Sequence, residues 1–300
     1  MKASDYPSNL SHNKPIMSKY TFLSALILSV LFIFSCGEKK NTEAIQYLDN
    51  IRSLYSQGKY QEALDNIDNI QTLYPKAFSE IKEAMALKQD VRKASDEREI
   101  TVSDSLLKIY EPQIDSIKKL FVYQKDEEDE TGIFIPKSVN TNHITSTMLR
   151  SGVNENGTFY LESTYIGGQF HNQIEVSTKD KRSAESLPID DEGFNFRFSN
   201  LGNQYEVIKV TPFHDNGLAK FILENADSPL TVKLKGKNTT SFSLSNIHKK
   251  AIVDSYSLSA LLLKKDSLFI AKDKAQTRIK YLESKATEVQ TGDKENSNSQ

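Results

Sequence analysis

The sequence predicts an α+β protein in which long helices flank an inserted antiparallel β domain, a sandwich or a jelly-roll-like unit. Three observations carry that reading. Apolar residues recur at three- and four-residue steps across residues 43–121. Across 122–245 the period falls to two, in short runs rich in aromatic and β-branched residues. Across 246–288 the three-four spacing returns.

The chain opens with a segment that is about address. Met17-Ser-Lys-Tyr precedes an apolar run from Phe22 to Phe34, broken only by Ser24 and Ser29, and then Ser35-Cys36-Gly37. A short positive stretch, an apolar core and a small residue before the cut are the parts of a secretory signal. The run is about 15 residues, shorter than the roughly 20 that a spanning helix wants. Residues 1–36 therefore resemble a lipoprotein signal with Ile33-Phe34-Ser35-Cys36 as its lipobox. Phe34 stands where the stricter motif takes a small residue, and a box ending in Ser-Cys-Gly resembles those of Bacteroidota-type lipoproteins. The resemblance implies cleavage before Cys36, lipid on its sulfur, and a chain anchored to the outer membrane of the cell envelope. The polar stretch Met1 to Ile16 makes Met17 a candidate start, and an uncleaved single-helix anchor is the alternative. Residues 37–42 read as a tether, and the mixed signs of Glu38-Lys39-Lys40 favour a periplasm-facing protein over a surface-exported one.

The string Leu54-Tyr55-Ser56-Gln57-Gly58-Lys59-Tyr60-Gln61-Glu62-Ala63-Leu64 resembles the middle of a tetratricopeptide repeat. In that family a Gly ends the first helix, an aromatic residue two positions on starts the second, and a small Ala lets the two pack closely. Gly58, Tyr60 and Ala63 fall at those positions, and Pro75 falls where the repeat closes. Tyr47 stands where the family often has Trp, while Asn50 and Ile51 depart from its usual Leu-Gly. The resemblance covers one unit of roughly 34 residues, and such a unit cannot bury its apolar face alone.

Ile81, Met85, Lys88, Val91 and Ala94 continue in helical steps, as do Leu106, Leu107, Ile109, Ile114, Ile117, Leu120 and Phe121. The stretch Ser95 to Ser105 is charged and weakly patterned, and Pro112 is expected to kink or interrupt the helix. Near the C-terminus Ile247, Ala251, Leu258, Leu261, Leu268, Ala275, Ile279, Leu282 and Ala286 form a matching stripe, with Asp254, Lys265 and Lys272 at seam positions. Pairing the two stripes antiparallel gives a stalk of about 35 residues, roughly 50 Å at 1.5 Å per residue. Separate packing of each helix is the alternative. Residues 289–300 are polar enough to read as a disordered tail.

Seven runs read as strands: Phe159–Ile166, Gln173–Val176, Phe194–Phe198, Tyr205–Val210, Phe221–Leu223, Thr231–Leu234 and Phe242–Leu244. Asn156-Gly157 and Asn216-Gly217 supply the left-handed backbone of tight hairpins, and Gly167-Gly168 and Lys235-Gly236 mark further turns.

Composition excludes more than it selects. A formal charge of -2 provides no field for nucleic acid, and a single cysteine rules out an intramolecular disulfide or a Cys-rich metal site. His143, His171 and His214 have no His or Cys two to four residues away, so no metal is expected. The acidic run Asp126 to Glu130 lacks the spacing of a calcium loop, and it and Asp190-Asp191-Glu192 read as solvated turns. There is no Gly-x-Ser-x-Gly elbow, and Gly167-Gly168 lacks the Gly-Lys-Ser/Thr ending of a phosphate loop. Tyr160, Tyr165, Phe170 and Tyr205 are candidates for a sugar platform or for core. Asp104-Ser105-Leu106, Asp115-Ser116-Ile117 and Asp266-Ser267-Leu268 resemble the short O-glycosylation motif of exported Bacteroidota-type proteins, which makes Ser105, Ser116 and Ser267 candidate acceptors. The expectation is a membrane-anchored envelope protein that binds another envelope protein or a glycan, without catalytic group, cofactor or metal, through loops that include Asp180 to Gly193. A hydrolytic β domain and a structural spacer are the alternatives.

Overall fold

The computed structural model describes residues 42–128, 130–139, 144–168, 170–190 and 193–297, with side chains through residue 285. Cys36 and its signal, the tether before Thr42, His143 and the last three residues lie outside these. Among the described residues the fold is mixed α+β: six α-helices and two antiparallel sheets of six and four strands, with helices first, then the β region, then a long C-terminal helix. The chain divides into two compact units, Met1–Val91 and Arg92–Gln300.

In the first unit, α1 (Thr42–Ser56) and α2 (Tyr60–Leu73) form a hairpin, and α3 (Phe78–Lys118) begins there. Gly58 sits at φ 71° between α1 and α2, where a side chain would be strained, and Lys59 N–H caps the Leu54 carbonyl at 2.9 Å. Tyr60 opens α2, and Ala63 is fully buried, so nothing larger than a methyl separates the helices there. Leu48, Ile51 and Leu54 meet Ile67 and Ile70, and α3 closes the cluster with Ala84 and Val91. The hairpin thus covers its apolar face with a third helix.

In the second unit the rest of α3 runs antiparallel to α6 (Asn246–Ser297). Lys265 meets Glu111 at 3.7 Å, Lys272 meets Asp104 at 2.5 Å, Arg278 Nε donates to Asp96 Oδ1 at 2.9 Å, and Lys93 donates to Glu283 at 3.0 Å. Partners advance along α6 as they retreat along α3, by seven residues on each helix between the first two pairs. Ser103, Leu107 and Ile114 on α3 are buried, as are Leu258, Leu268 and Ala275 on α6. Asp254 instead pairs with Lys250 on its own helix.

The β unit stacks two sheets. The larger has the order β1 (Phe121–Gln124), β2 (Ile133–Pro136), β3 (Met148–Asn154), β4 (Phe159–Ile166), β8 (Asn203–Val210), β7 (Asn195–Asn200). The smaller has the order β10 (Thr239–Ser243), β9 (Leu230–Gly236), β5 (His171–Thr178), β6 (Ser183–Glu185). Alternation puts Leu149, Leu161 and Ile208 of one sheet against Ile174, Val176, Val232 and Leu234 of the other. Two short helices, α4 (Pro212–Asp215) and α5 (Leu218–Glu224), follow β8, and α5 seals the core with Leu218, Ala219 and Ile222.

Several expectations are corrected or narrowed. Phe221-Ile222-Leu223 is helix, because Leu218 and Ile222 lie one turn apart and bury one face; an apolar run of three cannot tell the two periods apart. Asn216-Gly217, at φ 46° and 82°, therefore joins two helices and not two strands. Pro112 leaves α3 unbroken, since the carbonyl it frees belongs to Lys108 on an exposed face where water can serve it. Phe121 belongs to β1, and the helix backbone of α6 runs on to Ser297.

Candidate functional site

β4 has a helix end and a free end. At its Phe159 end the Gly157 turn accepts a hydrogen bond from Ser259 of α6 at 2.6 Å and abuts Leu262 and Leu263. At its Ile166 end the chain turns through Gly167 and Gly168 into β5, away from α6. A cleft of about 430 Å³ opens at that free end, lined by Phe170, His171, Asn172, Asp190, Arg197 and Lys237 among others. The volume suits a small ligand. Gly236 forms part of its wall, and a Cβ there would fall onto the Phe170 carbonyl, so β9 and the start of β5, neighbours in the smaller sheet, meet backbone to backbone.

The polar side chains of the cleft are held in place. Arg197 lies over the Phe170 ring at 4.1 Å from its centroid, a cation–π contact that fixes both. Asn172 Nδ2 donates to Asp190 Oδ1 at 2.7 Å. Lys235 bridges Glu175 at 2.5 Å and Glu185 at 2.6 Å, which lowers the Glu175 carboxyl below its ordinary range through the hydrogen bonds from Lys233 and Lys235. Among the described residues Lys237 joins no ion pair.

Behind the cleft sits a buried polar knot. Glu206 of β8, 1% exposed, accepts the His171 backbone N–H at 2.8 Å on Oε2 and the Arg197 Nε–H at 2.8 Å on Oε1. Its Oε2 also touches His171 Nδ1, in a contact that is electrostatic and not aligned as a hydrogen bond. On the other side of the ring, His171 Nε2 and Ser163 Oγ share a hydrogen bond at 2.7 Å. Burial alone raises the Glu206 carboxyl, yet the hydrogen bonds from His171 and Arg197 outweigh it and the net shift is downward. Elsewhere on the large sheet, burial pushes the Tyr160 hydroxyl up to about 12, with Lys209 over its ring at 4.1 Å.

Of the residues singled out from sequence, His171, Phe170 and Asp190 come together here, whereas Asp191 and Glu192 lie outside the described residues. Tyr160 and Tyr165 are buried, so the sugar platform does not include them; Tyr205 stacks on Phe198 instead, at 5.0 Å between centroids. His214 accepts or donates to Thr211 at 2.9 Å inside the α4 turn. Ser105, Ser116 and Ser267 are exposed on α3 and α6. Among the described residues no three His, Cys, Asp or Glu side chains converge as metal ligands, and no helix is long and apolar enough to cross a membrane. Sequence reasoning missed Glu206, Arg197 and Ser163. One signal was present: Glu206 alternates in phase with Ile208 and Val210, which places a carboxylate on the apolar face. Comparison of the chain with protein-family models, with curated proteins and with solved structures finds no match, so the functional reading rests on the geometry.

Proposed function

We propose that the chain is a lipid-anchored cell-envelope protein, held to the outer membrane through Cys36 and facing the periplasm, whose β unit binds a glycan without catalysis. The observation that carries the reading is the cleft at the pole of the β unit opposite α6, where the Phe170 ring stands beside fixed amide, carboxylate and cationic groups. A ring face for the apolar side of a sugar and convergent planar polar groups for its hydroxyls are what saccharide recognition needs. Titrating the full chain with soluble glycans and peptidoglycan fragments is expected to give saturable binding without turnover, with Phe170→Ala weaker by about tenfold, roughly 1.4 kcal/mol. Undiminished binding in that variant, or no binding to any glycan, would remove the cleft from the proposal. The anchor is tested separately: mass spectrometry of native protein finding unmodified Cys36 would overturn it.

A second reading, a serine hydrolase, has one observation in its favour: Ser163, His171 and Glu206 stand in the order of a nucleophile, a base and an orienting carboxylate. Against it, the Ser163 side chain is 0% exposed in the middle of β4 and is not part of the cleft lining. The knot therefore acts as a structural brace. Covalent labelling of Ser163 by a fluorophosphonate would reverse this preference.

A further inference from the structure

The free edge of the six-stranded sheet presents a row of backbone groups with no strand beside them. β7 and β8 are joined by the two-residue turn Leu201-Gly202, with φ 49° and 81°, the left-handed pair of a tight hairpin. In such a hairpin the closing pair, Asn200 and Asn203, exchanges two hydrogen bonds, and the exchange recurs at every second residue, at Phe198 and Phe196. Two observed bonds fix this phase. Lys209 N–H donates to the Phe194 carbonyl at 2.8 Å, one step further along the same series. Gly167 N–H donates to the Gln204 carbonyl at 3.0 Å, so Gln204 turns towards β4, and its cross-strand partner Ser199 turns away from β8. The N–H and C=O groups of Asn195, Arg197 and Ser199 therefore point off the sheet, where no further strand follows among the described residues.

Folded proteins blunt such edges with Pro, charged side chains, a bulge or a covering segment. β7, Asn-Phe-Arg-Phe-Ser-Asn, has no Pro and an unbroken register with β8, and its one charge, Arg197, is held by Glu206. Every residue from 196 to 200 is exposed, and Phe196 and Phe198, at 52% and 46%, stand side by side on one face. We propose that β7 receives an extended segment of another protein as a seventh strand. Outward backbone groups at alternate residues recognise extended backbone and no other ligand shape. Apolar side chains of the segment would rest on Phe196 and Phe198. A hydrogen-bond acceptor opposite Arg197 would use the guanidinium donors that Glu206 leaves open. A second copy fits less well, because the centred two-fold pairing sets one Arg197 directly opposite the other.

The test uses the full chain in detergent and a synthetic eight-residue peptide of alternating Val and Thr with one central Glu. A version with Pro at the centre serves as control. Hydrogen exchange at Arg197 and Ser199 is expected to be fast in the free protein and slowed at least about tenfold by the first peptide only. Ser199→Pro removes one outward donor while leaving the β8 ladder intact, and is expected to weaken binding about tenfold with an unchanged melting curve. Should that variant fail to fold, Phe196→Ala with Phe198→Ala gives the same reading through the side chains. Protection elsewhere, equal binding of the Pro peptide, or no protection at millimolar peptide would overturn the proposal. So would slowed exchange at the same amides in a dimer without peptide, which would make a second copy the occupant. Arg197 belongs to both β7 and the cleft, so Phe170→Ala separates the two: glycan binding should fall while peptide protection at Ser199 is unchanged.

Discussion

Between α3 and α6 the buried carboxylate of Asp96 faces one guanidinium, that of Arg278, whose own side chain is half in water. In the β unit the carboxylate of Glu206 is enclosed by a backbone N–H, a second guanidinium and an imidazole, all brought from other strands. Both carboxylates are buried under a guanidinium that is about half exposed, but among the described residues Asp96 has that partner alone. Glu206 adds a backbone N–H and the imidazole of His171, which are wholly enclosed with it. A seam held by pairs like that of Asp96 selects alignment at small cost, whereas the knot stands or falls as a whole.

The largest expected effect follows from Glu206. Replacing Glu206 by Ala leaves Arg197 and the His171 N–H without their acceptor, and should destabilise the β unit by about 3–5 kcal/mol in urea unfolding. A loss below about 1 kcal/mol would mean that the knot is no more than a surface pair. The same residue sets a pH dependence. Its carboxyl titrates lower in the folded chain than in the unfolded one, so its stabilisation is full above the ordinary carboxylate range. That stabilisation is lost as pH falls through the depressed folded value. Glu206→Gln should flatten this acid limb of the stability curve, and an unchanged limb would show that other carboxylates produce it.

Smaller effects are expected on the helical side. Arg278→Ala leaves Asp96 nearly buried and unpaired, but water reaches the site, so the loss should be about 1–2 kcal/mol. Lys265→Ala breaks a long, half-exposed pair and should cost less than about 0.5 kcal/mol, a difference that vanishes near 1 M salt. A Lys265→Ala effect as large as that at Glu206 would erase the contrast between the two regions.

The change of period between helices and β domain was legible because it rests on local spacing, and Gly58, Tyr60 and Ala63 could be placed because a helical hairpin is made of near neighbours. What was not legible depended on distance along the chain. Ser163, His171, Arg197 and Glu206 come from four different strands, and nothing in the sequence around any one of them names the others. β1, β2 and β3 escaped notice for a related reason. Phe121-Val-Tyr-Gln and Ile133-Phe-Ile-Pro are four residues each, too short for a period to show, and they become strands by pairing with each other and with β3. The α5 segment was misread because a local rule was applied where the core decided the outcome.

The antiparallel ladder of Lys265, Lys272 and Arg278 on Glu111, Asp104 and Asp96 constrains how these helices can change in length. A one-residue insertion in α6 alone would rotate every cation beyond it by about 100° and advance it by about 1.5 Å, away from its acceptor. Two whole turns added to both helices together would restore each partner. Descendants of this chain should therefore differ here by coupled, seven-residue steps, with the pair serving as a ruler graduated in heptads.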